Sequence, residues 1–162
     1  MGAGKTSIGR HLAELAGLTF IDSDQEIEQQ TGVTISWIFE IEGESGFRKR
    51  EQAVIKKLTQ LNGIVLATGG GCVLDEQNRE LLKAGGIVVY LQVDLKTQFK
   101  RTQLKKGTRP LLETEDPMKK LEELQQVRDP LYRTIAAKVY DTNQFTHAKA
   151  VAQQIYNDWL KG

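Results

Sequence analysis

From Ile64 the chain reads Ile-Val-Leu-Ala-Thr-Gly-Gly-Gly, ending at Gly71. A short run without polar alternation, stopped by three glycines, predicts a strand covered on both faces, and such strands belong to parallel sheets with helices above and below. Ile87 to Leu91 is a second run of this kind. Thr19 to Ile21 and Val139 to Tyr140 are weaker candidates for strands. Helical spacing alternates with them: Ile8, Leu12 and Leu15; Val54, Ile55, Leu58 and Leu61; Val151, Ile155 and Trp159. Strands separated by helices of this length imply βαβ units, an α/β class and a parallel sheet. At 162 residues, with no internal repeat or Pro-rich linker, one domain spanning 1–162 is expected.

The three glycines carry chemistry as well as topology. Ligands of open α/β sheets bind beyond the carboxyl ends of the strands. Gly69, Gly70 and Gly71 lie there and let a bare backbone approach a ligand; a flexible turn is the bland alternative, but a turn rarely needs three glycines at a strand's carboxyl end. Thr19 to Ile21 likewise runs into Asp22-Ser23-Asp24. Two aspartates at that place can hold Mg²⁺ and accept a hydroxyl proton, or the triplet can simply cap a helix.

Gly2, Gly4, Lys5 and Thr6 match the second half of the phosphate-loop pattern G-x-x-x-x-G-K-[ST]. Glycines let the backbone wrap a phosphate, lysine supplies charge, and threonine offers a hydroxyl to Mg²⁺. A glycine-rich helix start that binds nothing would look similar. Counting the pattern back, its first glycine falls two places before Met1, and no strand precedes the loop.

Three arginines sit beside glycine or proline: Arg48 in Gly46-Phe47-Arg48, read as opening a long helix; Arg109 in Gly107-Thr108-Arg109-Pro110; and Arg128 in Arg128-Asp129-Pro130-Leu131-Tyr132, read as following a helix. Planar guanidinium groups suit an anionic substrate, though most surface arginines are merely solvated. The stretch Lys105 to Pro117 is polar and punctuated by Gly and Pro, as in a mobile flap.

Other functions are disfavoured. With 22 basic and 21 acidic residues, the net charge of +1 gives no reason for a nucleic-acid or membrane partner. The longest apolar runs are too short to cross a bilayer, and no signal peptide opens the chain. The lone Cys72 allows no intramolecular disulfide, which suits the cytoplasm, and has no His beside it to make a nucleophile. His11 and His147 have no partners at metal-ligand spacing. Trp37, Ile38, Phe39 and Ile41 read as core or pocket wall.

Together, MGAGKTSIG, DSDQEIE, GESGFRKRE, LATGGG, RPLL and RDPLY, in this order, resemble the shikimate kinase family. The resemblance implies a P-loop fold of the nucleoside monophosphate kinase type: a five-stranded parallel sheet flanked by helices, with residues 105–117 as a lid. It implies ATP and Mg²⁺ as cofactors and shikimate as acceptor; a monomer is expected. Gly2, Ala3, Gly4, Lys5, Thr6 and Ser7 would hold the phosphates, with Thr6 and Asp22 on the metal. Asp24 would orient and deprotonate the acceptor hydroxyl. Arg48, Arg128 and the glycines Gly69, Gly70 and Gly71 would bind shikimate, and Arg109 would neutralise the transferring phosphoryl. Arg101 and the segment Asn143 to Thr146 would line the base. The resemblance also implies that roughly ten further residues, with a central strand, precede this methionine. A P-loop kinase of another small hydroxy acid, such as gluconate, and a non-catalytic remnant are the alternatives.

Overall fold

The computed structural model describes residues 2–103, 110–112, 114–143 and 147–161. Along the chain run α1 (Lys5–Ala16), β1 (Thr19–Asp22), α2 (Ser23–Thr31), α3 (Ile35–Leu58), β2 (Ile64–Ala67), α4 (Glu76–Gly85), β3 (Val89–Gln92), α5 (Leu95–Gln103), α6 (Pro117–Ile135), β4 (Lys138–Asp141) and α7 (Ala148–Leu160). Short 3₁₀ turns occupy Cys72–Leu74 and Pro110–Leu112. Helix starts are set by side chains that accept the otherwise orphaned first N–H groups. Thr34 accepts from the Trp37 amide, Asp75 from Asn78 and Asp116 from Lys119.

Among the described residues four strands form two parallel pairs. β1 pairs with β2 from Thr19↔Ile64 to Asp22↔Ala67. β3 pairs with β4 from Val89↔Lys138 to Gln92↔Asp141. Among the described residues no ladder joins β2 to β3. Between them lies a cavity of about 800 Å³ lined by Val65 and Leu66 on one side and Val89 and Leu91 on the other. Leu12 of α1, Leu58 of α3, Leu82 of α4 and Ile135 of α6 also face it.

The core forms three clusters around these pairs. Ile27, Ile38, Phe47, Val54 and Leu58 pack α2 and α3 against Ile21 and Leu66. Ile8, Tyr140, Val151, Ala152 and Ile155 pack α1 and α7 against Val89 and Leu91. Ile55, Cys72, Val73 and Ile135 join Val88 and the far side of α3 to α4 and α6. Helices thus cover both faces of the strands, which is why β2 (Ile64–Ala67) is apolar without alternation.

Several expected boundaries move. β3 begins at Val89, and Ile87 is 66% exposed. Trp159 lies half-exposed, so the buried stripe of α7 is Val151, Ala152 and Ile155. Trp37 and Ile41 are exposed, whereas Ile38 is core and Phe39 borders a cleft. Gly46-Phe47-Arg48 does not open its helix: α3 starts at Ile35 and breaks at Gly43, whose φ of 70 only glycine adopts without strain. Arg128 to Tyr132 does not follow a helix but lies inside α6, which continues through Pro130. Proline costs the helix one backbone bond. Leu131, Tyr132 and Ile135 still hold that last turn against the core.

Candidate active site

The second cleft, about 460 Å³, opens where the carboxyl ends of β1 and β2 meet the start of α1. Gly2 and Gly4 adopt left-handed φ values of 70 and 83, which a side chain would resist. A Cβ on Gly2 would also stand 3.2 Å from the Gln98 carbonyl, so the loop lies close on α5. Arg101 fastens it there, donating from Nη1 to the Gly2 carbonyl at 3.1 Å. No side chain caps the start of α1. The positive end of its dipole there suits an anion. Gly2, Gly4, Lys5, Thr6 and Ser7 line the cleft. The Ala3 methyl instead faces the cavity between the strand pairs and is buried.

Asp22 serves two partners. Its Oδ1 accepts from the Asp24 amide at 3.0 Å, capping α2, and its Oδ2 accepts from the Thr6 hydroxyl at 3.0 Å. Cap and site are therefore the same residue. The juxtaposed hydroxyl and carboxylate are hard oxygen donors of the kind Mg²⁺ prefers. No group of three His, Cys, Asp or Glu able to hold a metal occurs among the described residues. A cation here would complete its shell with water and phosphate oxygens, as Mg²⁺ does at nucleotides. The residues present fit that ion.

Asp24 is different. Burial, then the neighbouring Asp22 charge, push its carboxyl up to about 6, while Lys5 and Arg48 pull the other way. Its Oδ1 is buried without a hydrogen-bond partner. A carboxylate with a proton affinity near neutrality and an unused oxygen is equipped to accept a proton.

Beyond Asp24 the cleft turns cationic. Arg48 pairs with Glu51 at 2.7 Å and with Glu44 at 2.8 Å. Burial works against the Arg48 charge, but Glu51 and Glu44 outweigh it and hold the group above its ordinary value. Burial raises Glu51, and Arg48 restrains that rise. Arg128 from α6 is almost fully buried, with Nε lacking a hydrogen-bond partner. The glycine triplet threads between these groups. A Cβ on Gly69 would lie 2.7 Å from Asp24 Oδ1 and 2.9 Å from Glu51 Oε1, and one on Gly71 would collide with the Arg48 guanidinium. Absence of side chains thus lets charged groups close over the backbone.

A family model described as "Shikimate kinase" matches residues 1–159. The chain belongs to the shikimate kinase family. A shikimate kinase of Methylococcus capsulatus (strain ATCC 33009 / NCIMB 11132 / Bath) is 56% identical over 161 residues, covering 99% of this chain and 89% of that protein. One from Acinetobacter baumannii (strain AYE) is 55% identical over 155 residues, covering 96% and 85%. Among solved structures, a shikimate kinase from Acinetobacter baumannii in complex with shikimate has a TM-score of 0.95 at 53% identity, covering 99% of this chain and 89% of that one. The Bacteroides thetaiotaomicron shikimate kinase has a TM-score of 0.89 at 28% identity, covering 100% and 94%.

Of the residues that the shikimate kinase resemblance singles out, Lys5, Thr6, Asp22, Asp24, Arg48, Arg101 and Arg128 all line this one cleft. Arg109 and residues 144–146 lie outside the described residues. Asn143 accepts from the Asp94 amide at 3.3 Å and so ties β4 to the β3–α5 turn. Three contributors lie in motifs read from the sequence but have no role assigned there. Ser23, fully buried, accepts from the Gly69 amide at 3.1 Å and locks the triplet to the start of α2. Glu51 clamps Arg48, and its spacing three residues after that arginine on a helix was the available signal. Tyr132 donates its hydroxyl to the Gly70 carbonyl, 62 residues away, which no local pattern announces. Burial lifts the Cys72 thiol to about 12, so it is no nucleophile. No described helix is long and apolar enough to cross a membrane.

Proposed function

We propose that the chain transfers the γ-phosphoryl group of ATP to the 3-hydroxyl of shikimate with Mg²⁺, giving ADP and shikimate 3-phosphate. The observation that carries the reading is the place of Asp24. It stands between the Thr6–Asp22 pair beside the phosphate loop and the Arg48–Glu51 corner beside the glycine triplet. One end is made for polyphosphate and the other for a small anion, with a base between them.

The loop amides and Lys5 bind and orient the phosphates, while Thr6 and Asp22 hold the cation. When bound, Mg²⁺ offsets charge on the phosphate oxygens. Arg48 and Arg128 bind the acceptor carboxylate and fix its hydroxyl toward Asp24, which takes the proton as the oxygen attacks phosphorus. The phosphorus–oxygen bond to ADP breaks as the new one forms. Positioning and charge neutralisation supply most of the catalysis in such transfers. Arg109 enters on sequence alone as the cation that neutralises the transferring group, with residues 105–117 as its lid. Arg101 and Asn143 are assigned to the adenine side. One domain spanning 1–162, a monomeric state and a cytoplasmic setting complete the reading.

The test is ADP release coupled to a spectroscopic readout, with Mg²⁺, ATP and either shikimate or gluconate. Turnover with shikimate and none with gluconate supports the proposal. Turnover with gluconate alone, or with neither, overturns it.

A further inference from the structure

The glycine triplet has no side chains by which its orientation can be fixed, so its neighbours must fix it. Gly69 is held by Ser23 through its amide, and its carbonyl accepts from the Cys72 amide at 3.2 Å. Gly71 accepts from Leu74 at 3.0 Å. Gly70, the middle residue, is held from outside the segment: its carbonyl accepts from the Tyr132 hydroxyl. A peptide unit is planar, and the N–H of one residue points opposite to the carbonyl of the residue before it. Whatever orients the Gly70 carbonyl therefore also orients the Gly71 N–H.

Tyr132 lies four residues after Arg128 on α6, on the same side of the helix, and the Arg128 guanidinium stands beside its hydroxyl. The tyrosine is itself braced. Its ring stacks on Tyr90 of β3 at 4.8 Å between centroids. Tyr90 in turn donates to Asp129 Oδ1 at 2.8 Å, and Arg133 donates to Asp129 Oδ2 at 2.7 Å. β3, α6 and the triplet are thus joined through one side chain.

We propose that Tyr132 is a positioning residue for the acceptor: its hydroxyl sets the Gly70–Gly71 peptide plane in register with Arg128, so the triplet and the arginine present one preformed anion-binding corner. This rests on the reading above, in which those groups receive shikimate. Loss of the hydroxyl frees the peptide to rotate, and the acceptor must then order it on binding. The effect falls on acceptor affinity, not on the nucleotide.

The experiment compares Tyr132→Phe with the unaltered protein. The Michaelis constant for shikimate is expected to rise about tenfold, the scale of one lost hydrogen bond, with kcat and the Michaelis constant for ATP within about twofold. Tyr140→Phe is the control. It loses a similar tyrosine bond, 2.8 Å to Asp158 and away from the cleft, and should leave both constants unchanged. A merely structural role for Tyr132 would lower the thermal midpoint or the amount of active enzyme without moving the shikimate constant, and that outcome overturns the inference. If the unaltered protein turns over shikimate and Tyr132→Phe matches it in every constant, this inference fails alone. If the unaltered protein neither turns over shikimate nor binds it by calorimetry, the functional reading fails and this inference with it.

Discussion

Arg48 and Glu51, one helical turn apart on α3, form an ion pair at 2.7 Å in which the Glu51 side chain is only 1% exposed. A buried carboxylate is tolerated only when paired, and a buried pair is costly to break from one side. The geometry leaves Arg48 with a fixed direction rather than a free charge, and that direction is toward Gly71.

The first prediction concerns this corner. Arg48→Ala or Arg128→Ala should weaken shikimate binding by about 2–3 kcal/mol, as loss of a charged hydrogen-bond partner does. ATP binding should change little. Glu51→Gln keeps the shape but loses the clamp, so it should weaken shikimate less than Arg48→Ala while lowering stability. Calorimetry with each ligand and a urea titration measure all three. Normal shikimate binding by both arginine variants would place the acceptor elsewhere.

The second prediction follows from Asp24. With its carboxyl near 6 in the free protein, kcat/KM for shikimate should fall about tenfold per unit as pH drops below that value, with one ionisation. Asp24→Asn should lose at least ~10²-fold in turnover, the scale of a lost acid–base group. Stability should move oppositely. The native carboxyl binds its proton more tightly than the unfolded one, whose value is near 3.8, so wild-type stability falls as pH rises between about 4 and 6. Asp24→Asn should therefore be the more stable protein above pH 6, and the difference should vanish near pH 4. Equal urea midpoints at pH 7 would show that Asp24 is not strained by its burial.

A third prediction separates metal from nucleotide. Thr6→Val removes the hydroxyl that meets Asp22 at 3.0 Å and leaves the loop backbone intact. The Mg²⁺ concentration giving half-maximal rate should rise roughly tenfold, the lower end for disturbed metal sites. ADP binding without Mg²⁺ should be unchanged. A variant with normal Mg²⁺ dependence would leave the Thr6–Asp22 contact as structure only.

How much of this was readable in the sequence depends on range. Strand identity was legible at β2, because an apolar run closed by glycines has few other uses, and the alternation with helices gave the class. Asp22 and Asp24 were legible as a pair at the end of a strand, and both line one cleft. The extent of α6 was not. Pro130 reads as a stop, and the contacts of Leu131, Tyr132 and Ile135 that override it come from the distant β2–α4 region. Tyr132 and Ser23 stayed hidden for the same reason, since each bonds a glycine 62 or 46 residues away. Trp37 and Ile41 failed in the opposite sense: apolar residues at a helix start are exposed here, and apolarity alone does not place a side chain inside.

The last prediction concerns the space between the strand pairs. β2 is apolar on both faces, yet Val65 and Leu66, with Val89 and Leu91 of β3, are only half-buried and border a cavity of about 800 Å³. No ladder joins the two strands among the described residues, so their facing edges present backbone groups to that cavity. Unpaired edges next to apolar walls are costly unless an extended segment satisfies them. Ala3, next to the phosphate loop, lines one part of this cavity, so such a segment would run with its carboxyl end toward that loop. Fusing roughly ten residues ahead of Met1, ending in a five-residue apolar strand and a Gly-x pair, should therefore fill it. The fused protein should show a higher urea midpoint and tighter ATP binding, because the strand buries apolar surface and ties down the loop bearing Gly2 and Gly4. A fusion of equal length with serine at the apolar positions is the control, since it adds chain without apolar area. If both fusions behave alike, apolar strand insertion is not what stabilises the region, and β2 and β3 are complete as two separate pairs.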